Sequence, residues 1–355
     1  MNEIGISEYL GKSVGNNKNI ALKIKKIIYI STLNLKEIIM KGKSILIMGL
    51  AVAFVACNQQ NKQTTNTNSV TKQENVENQP FLKQMEYSNL VDKASQEEVK
   101  QALANAGIAQ ANIEAFFENV NYFNNLVGDI GLVQQGFSTS DNLTPKYDQV
   151  SVIERWDKKH PTFPGYNCRI TSLDLLRDFV EVKEPKTDVG LNLFVDNDAL
   201  ENNPKRVFSE REKEIFMNLY TNFPTPYVSD TQKHIENARK TWKEKGITFP
   251  HKNDRAKASL ISVFFHSAIT PEESELFVGH VGVLVPTTDN KLIFIEKLSF
   301  QEPYQAVKFN NRTELNDFLM YRYDVEWNQP TSIPFIFEND DLLEGYRPNE
   351  NKVKQ

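Results

Sequence analysis

Cysteine is scarce in this chain of 355 residues, which contains only Cys57 and Cys168. Two cysteines cannot supply the dense disulfide framework of a small secreted scaffold, so stability has to come from an apolar core. The sequence also lacks histidine or cysteine pairs at zinc-binding spacing, acidic residues at calcium-loop spacing and a glycine-rich phosphate loop. We therefore expect no metal and no other cofactor.

An excess of positive charge is missing as well. The formal net charge is −5 at pH 7, and residues 1–57 alone hold eight lysines against three acidic residues. The remainder of the chain then carries −10, which argues against nucleic acid as a partner. With 40% apolar and 10% aromatic residues, the part after about residue 81 can bury a full core as one large domain, or as one domain with a helical extension.

The longest hydrophobic run near the N-terminus, residues 45–55, lies in the stretch MKGKSILIMGLAVAFVAC at residues 40–57. The run is too short to remain as a membrane span, but lysines before it and Ala56 after it are typical of a secretory signal peptide. Its last four residues resemble a bacterial lipobox, with Phe54 where leucine is usual. The resemblance implies cleavage before Cys57 and lipidation of its sulfur.

The segments on either side of this signal have no globular character. We interpret residues 1–39 as unstructured upstream translation before a start at Met40, and a long n-region is the alternative. Residues 58–84 are mostly polar and cannot bury enough surface to offset the entropy of ordering them, so they are predicted to form a disordered tether. The expected protein is exported and bound through its lipid to the cell membrane or the outer membrane.

The next segment, residues 85–164, is predicted to be a helical hairpin followed by an irregular wrapping segment. SQEEVKQALANAG carries Ser95 and Glu98 at capping-box spacing and Gly107 as a helix stop. The following stretch places Ile113, Phe116 and other apolar residues at helical spacing.

Residues 165–345 are predicted to form the main α+β body, with residues 346–355 as a tail. Helical spacing begins at Asn167, a favourable N-cap, and Ser209 with Glu212 forms a second capping box. The period then changes to two, which predicts strands joined by short turns at residues 258–268, 277–285, 291–300, 304–309 and 334–337. Helices followed by an antiparallel sheet indicate the α+β class.

The hairpin between the second and third of these strands places a histidine beside an acid. If Val285 pairs with Lys291, His280 lies directly opposite Glu296 on an otherwise apolar face. Gly279 and Gly282 lie on either side of the histidine and are expected to leave space beside it. A carboxylate at this distance orients the imidazole and stabilises its protonated form. A register shift of one residue would separate the pair.

Cys168 is predicted in the first turn of a helix, where the helix dipole favours a thiolate. The order Cys168, His280 and Glu296 therefore supplies a nucleophile, a general base or acid, and an orienting group. A buried structural cysteine is the alternative, because unpaired thiols are commonly buried as small apolar groups.

At these residues the chain resembles the papain-like cysteine peptidases, especially the NlpC/P60 branch of bacterial cell-wall hydrolases, and more distantly the transglutaminase-like enzymes. NCRITSLDLL matches the nucleophile helix, and GHVGVLV with IFIEKL matches the histidine strand and its neighbour. The resemblance spans residues 165–309 and implies a papain-like fold with peptidoglycan stem peptides as the substrate class. The chain departs from the usual Asp-Cys-Ser-Gly run around Cys168, and Glu296 replaces a more familiar histidine or asparagine.

The whole body, from YSNLVDKAS through YNCRITS, is also similar to a family of uncharacterised bacterial lipoproteins. That resemblance supports the tethered interpretation and implies no activity.

An oxyanion hole beside the thiol requires two hydrogen-bond donors. The Cys168 backbone N–H is the natural first donor, and Tyr166 or Asn167 is a candidate for the second, although capping is the expected role of Asn167. Arg169 is a candidate for binding a substrate carboxylate. His266 is expected in the core and is the alternative base.

The sequence therefore favours a membrane-tethered cysteine hydrolase or acyltransferase that acts on amide bonds of a peptide or of peptidoglycan. The alternative is a surface lipoprotein without catalysis that uses the same fold to bind a partner or peptide. The oligomeric state and the choice between inner and outer membrane stay open.

Overall fold

The computed structural model describes residues 79–187, 189–325 and 330–350. The predicted upstream segment, the signal peptide, the lipidation site at Cys57 and the tether through residue 78 lie outside the described residues, as do residues 351–355. None of the helices in the described part of the chain is long and apolar enough to cross a membrane.

Eight α-helices lie in the described residues. They are α1 (Lys93–Asn105), α2 (Gln110–Val127), α3 (Gln149–Lys159), α4 (Cys168–Leu175), α5 (Phe194–Glu201), α6 (Glu210–Tyr220), α7 (Thr231–Glu244) and α8 (Arg312–Tyr323). The strands are β1 (Met85–Ser88), β2 (Ser138–Ser140), β3 (Glu181–Val182), β4 (Phe223–Pro224), β5 (Ile247–Thr248), β6 (Ser259–Ala268), β7 (Ser274–Pro286), β8 (Leu292–Lys297), β9 (Tyr304–Phe309), β10 (Phe335–Glu338) and β11 (Asp341–Leu342).

Nine of these strands form one antiparallel sheet in the order β11-β10-β6-β7-β8-β9-β1-β2, with β4 paired to β7 outside this path. β3 and β5 form a separate pair. The long central strands β6 and β7 are buried along most of their length, which explains why their sequences are rich in valine, leucine and phenylalanine.

Two apolar clusters lie on opposite faces of the sheet. The larger cluster joins residues of α1 to α4, α6 and α7 to strand residues such as Val281, Val283 and Ile295. The smaller cluster joins α8, through residues such as Leu315 and Phe318, to strand residues that include Phe294. The sheet is therefore a middle layer between α8 and most of the other helices.

The edge of β7 that faces β8 is interrupted. β6 pairs with β7 along most of the other edge, so β4 and β8 share the remaining one. β4 pairs with Glu275 and Leu276, whereas β8 pairs only with residues 283–286. In the described part of the chain, residues 277–282 have no strand partner on this edge. Their backbone groups can therefore form hydrogen bonds with a helix.

The structure confirms a mixed α and β architecture with an antiparallel sheet, although the helices are only partly N-terminal because α8 follows β9. The predicted strands and the capping box of Ser209 and Glu212 are present. The prediction of a helical hairpin from residue 85 was wrong at its start, because β1 joins the sheet beside β9, and the segment predicted to be irregular contains α3. The cap of α1 is Asp92 instead of Ser95, and Glu98 pairs with Lys308 at 2.8 Å.

Candidate active site

The first turn of α4 is fixed by a polar network. The Asn167 side chain accepts a hydrogen bond from the Ile170 backbone N–H at 2.9 Å, which confirms the predicted cap. Its amide nitrogen donates to Asp196 at 2.7 Å, and Arg169 forms an ion pair with the same carboxylate at 2.9 Å. These contacts hold Cys168 at the start of the helix.

This first turn occupies the interrupted edge of β7. The Arg169 guanidinium donates two hydrogen bonds to the Val278 carbonyl, at 2.8 and 3.2 Å. The Val281 backbone N–H donates to the Cys168 sulfur. Because no strand satisfies this part of the edge in the described residues, the helix start takes the place of a strand and brings the thiol to the sheet.

His280 and Glu296 meet in the buried interior, with 2.5 Å between His280 Nε2 and Glu296 Oε2. The predicted direct opposition was wrong by two residues, because β7 and β8 pair Val285 with Ile293 and Leu284 with Phe294. A shift of two residues keeps both side chains on the same face, whereas a shift of one would not. The ion pair therefore forms across the point where the two strands separate.

Glu296 has two further partners. Arg322 of α8 donates to both of its carboxylate oxygens, at 3.0 and 3.1 Å, and Gln305 of β9 donates at 3.3 Å. Burial would raise the pKa of Glu296, but Arg322 and the hydrogen bond from His280 lower it below its ordinary value. Glu296 is thus a charged carboxylate that can hold an imidazolium.

The thiol and the imidazole change each other's protonation. Burial raises the pKa of Cys168, but attraction to the His280 imidazolium and hydrogen bonding with it outweigh burial and lower the pKa below 9.0. Burial lowers the pKa of His280, but the Cys168 thiolate and then Glu296 raise it to about 9. The described network therefore favours the thiolate of Cys168 and the imidazolium of His280 over their neutral forms, compared with the isolated side chains.

Comparison with known proteins identifies the domain. A family model for a domain of unknown function, DUF4300, matches residues 86–343. The chain belongs to the DUF4300 family. No curated protein and no solved structure gave a significant match. The DUF4300 domain thus spans β1 through the last strands and includes the whole network around Cys168.

The other residues singled out in the sequence have partners of their own in this DUF4300 domain. The Tyr166 hydroxyl donates to Asn203 at 2.7 Å, and Arg169 is occupied by Asp196 and Val278. His266 is buried, with Nε2 3.0 Å from the Ser274 hydroxyl and Nδ1 accepting from the Ser332 N–H at 3.1 Å.

His234 on α7 is fully buried and lies 2.7 Å from both the Thr225 hydroxyl and the Val228 carbonyl. The space expected beside His280 is filled, because a Cβ at Gly279 would lie 2.4 Å from the Phe265 ring. Gly279 is the unpaired residue of a bulge, since Val263 pairs with His280 and Phe264 with Val278.

Arg322 and Asp196 are the site residues that the sequence did not reveal. A signal for Arg322 exists, because it lies four residues after Phe318 and therefore on the face that α8 turns toward the sheet. Asp196 lies in an acidic stretch without a distinguishing pattern.

Within the described residues, no group of three or more histidine, cysteine or acidic side chains is arranged to hold a metal ion.

Proposed function

We propose that this DUF4300 protein is a cysteine hydrolase or acyltransferase that acts on amide bonds. The observation that carries the proposal is the buried pair of His280 and Glu296, which are 2.5 Å apart, beside a thiol whose pKa is lowered by the same imidazole. A nucleophile, a base and an orienting carboxylate in hydrogen-bonding series are the parts that thiol catalysis requires.

In the proposed reaction, the Cys168 thiolate attacks the carbonyl carbon of the amide. The His280 imidazolium then donates its proton to the leaving amine nitrogen as the carbon–nitrogen bond breaks, which leaves a thioester on Cys168. Water, or an acceptor amine in a transferase, loses a proton to the neutral imidazole as it attacks the thioester, and the thiolate and imidazolium are restored. Glu296 keeps the ring oriented throughout, because its hydrogen bond fixes Nε2.

The backbone N–H of Cys168 is the first oxyanion donor in this proposal. It lies in the first turn of α4, where backbone N–H groups have no partner within the helix. The side chains of Asn167 and Tyr166 are already occupied, so their contribution would require these contacts to rearrange.

We further propose a distant relationship to the papain-like enzymes, with peptidoglycan stem peptides or other peptides as substrates. A helix that begins at the cysteine, followed by an antiparallel sheet that carries the histidine and the acid, supports it. The bulge at Gly279 and the glutamate at residue 296 depart from the papain-like pattern, so the substrate has to be identified by experiment.

The signal at residues 40–57 supports the proposal that the protein is exported and lipidated at Cys57. Labelling of producing cells with a tagged fatty acid tests this directly. We expect label on the full chain and on Cys168→Ser, but none on Cys57→Ser. Label that persists in Cys57→Ser would disprove the anchor at this residue.

The catalytic proposal is tested by alkylation with iodoacetamide in the Cys57→Ser background, where Cys168 is the only thiol. We expect alkylation near pH 6 to be much faster than for a free cysteine, because a lowered thiol pKa increases the thiolate fraction. His280→Ala should abolish this advantage.

One observation favours a second candidate, a lipoprotein that binds a partner or peptide without catalysis. Cys168 is only 7% exposed, which is typical of a structural cysteine. If the thiol reacts only after denaturation, the binding function is the better interpretation and the catalytic proposal fails.

A further inference from the structure

A cavity of about 530 Å³ opens between α2, α3 and the end of β8. Its wall is rich in aromatic rings, contributed by Tyr122, Phe123, Trp156, Phe163, Tyr166 and Tyr304. The volume is within the range of sites that bind small organic groups, and a wall rich in rings is typical of such sites.

The rings form a fixed surface. The Phe123 ring centroid lies 5.7 Å from that of Trp156 and 5.9 Å from that of Tyr304. The polar groups of two of the rings have hydrogen-bond partners. Trp156 Nε1 donates to the Phe163 carbonyl at 2.8 Å, and the Tyr166 hydroxyl donates to Asn203. The cavity is therefore preformed and offers ring faces and edges to an occupant.

The two lysine ammonium groups on the cavity wall already have hydrogen-bond or ion-pair partners. Lys297 lies at its inner end, with Nζ bonded to the Ser299 and Phe300 carbonyls at 2.8 and 3.3 Å and 4.1 Å from the Phe123 ring centroid. At the rim, Lys205 pairs with Glu118 at 2.8 Å. A charged occupant would lose hydration without gaining a free partner from these groups, so an uncharged occupant is favoured.

The cavity lies close to the proposed nucleophile. Tyr166 precedes Cys168 by two residues, and Lys297 follows Glu296 on β8. Alternation along β8 turns Lys297 toward the sheet face that α4 covers, opposite to Glu296. α4, which begins at Cys168, also lies against β8, which ends at Lys297.

We propose that this cavity binds an uncharged aromatic or large aliphatic side chain of the peptide that Cys168 attacks. The inference rests on the proposed function, because it assigns the cavity to the same substrate. It narrows the substrate class to peptides that carry such a side chain near the scissile bond.

The test uses the full chain with Cys168→Ala, so that ligands bind without turnover. The uncharged probes are N-acetylphenylalaninamide and N-acetylleucinamide. The charged probes are N-acetyllysinamide and the α-amide of N-acetylglutamate, which keeps its side-chain carboxylate. Calorimetry measures the affinity of each probe. We expect saturable binding of the two uncharged probes and at least tenfold weaker binding of the charged ones, which corresponds to about 1.4 kcal/mol.

Two cavity variants and one matched control locate the site. Tyr122→Ala removes a ring from the rim and should weaken binding roughly three- to tenfold, the range expected for one aromatic contact. Asn119→Trp should fill the entrance and abolish binding. Tyr227→Ala removes a tyrosine of similar exposure, 41% against 44% for Tyr122, that does not line the cavity, and should bind as the parent does.

The outcomes separate this inference from the proposed function. Equal binding of charged and uncharged probes, or unchanged binding in both cavity variants, overturns the inference even if Cys168 proves catalytic. Selective binding that depends on Tyr122, in a protein whose Cys168 is inert to alkylation, supports the cavity and rejects catalysis.

Discussion

Arg322 controls the charge of the candidate site at the scale of single residues. Glu296 is fully buried, and its carboxylate contacts Arg322, His280 and Gln305. A buried carboxylate is costly unless it is paired. The arginine therefore stabilises the acid on which the imidazolium depends.

We expect Arg322→Gln to lower the free energy of unfolding by about 3 kcal/mol, because it leaves a buried charge without its cationic partner. The measurement is urea unfolding at neutral pH. Arg239→Gln is the matched control, since Arg239 pairs with Asp341 at the exposed surface, and it should cost less than about 1 kcal/mol. Equal effects of the two variants would contradict the role assigned to Arg322.

The pH dependence of the unfolding free energy does not report the His280 pKa on its own. The His280 imidazolium stabilises the fold fully below pH 6.5, and this contribution is lost as pH rises through about 9. The Cys168 thiolate stabilises the fold above pH 9.0, and this contribution is lost as pH falls through its lowered pKa. The two contributions oppose each other between these limits, so unfolding free energies conceal them.

Histidine NMR resolves the two groups. We expect a His280 pKa near 9 in the parent protein and a lower value in Cys168→Ala, because the thiolate is the largest contribution that raises it. His266 is an internal control, since burial and then His234 lower its pKa to about 4 without any contribution from Cys168. A His280 pKa that is unchanged by Cys168→Ala would show that the two side chains do not interact.

The residue scale shows what a sequence can predict about a site. His280 and Glu296 were placed on one face by the period of two, and that result survives a register error of two residues. The contact with Cys168 joins residues 112 positions apart, and no local pattern encodes it. Arg322 was not predicted as a site residue, because the sequence does not show that this cation on an apolar helix face contacts the buried Glu296.

At the scale of elements, the site depends on the separation of β7 from β8. Pairing of these strands ends at Val283 and Ile295, and the Phe294 ring lies where a side chain at residue 282 would otherwise project. Only glycine leaves room for this ring, because an added Cβ would lie 2.3 Å from it and 2.8 Å from the Ile295 carbonyl.

Gly282→Ala should therefore reduce stability by about 2 kcal/mol through overpacking. Urea unfolding of the single variant, of Phe294→Leu and of the double variant measures the effect. The smaller leucine should relieve the clash, so the double variant should be more stable than the sum of the single effects predicts. Strict additivity would contradict a clash between these two residues.

Elements with strong periodicity were predicted well, and those defined by distant pairing were not. β6 to β9 and α8 follow from alternation and helical spacing. β1 and β4 are short and acquire their identity from β9 and β7, which lie far away in the sequence. The bulge at Gly279 also has no signature beyond a glycine in a strand.

At the scale of the whole molecule, three layers meet at one point. α4 brings Cys168 from one face of the sheet, β7 and β8 supply His280 and Glu296, and α8 supplies Arg322 from the other face. The α+β class could be predicted from the order of elements, but this convergence required the tertiary structure.

The most direct test of this account is the titration of the Cys168 thiolate by its ultraviolet absorbance, in the Cys57→Ser background and with Cys168→Ala subtracted. The account predicts an absorbance step below pH 9.0, and a shift of that step upward toward the ordinary thiol value in His280→Ala. A single step near pH 9.0 that is the same with and without His280 would contradict the thiolate and imidazolium pair, and with it the catalytic proposal.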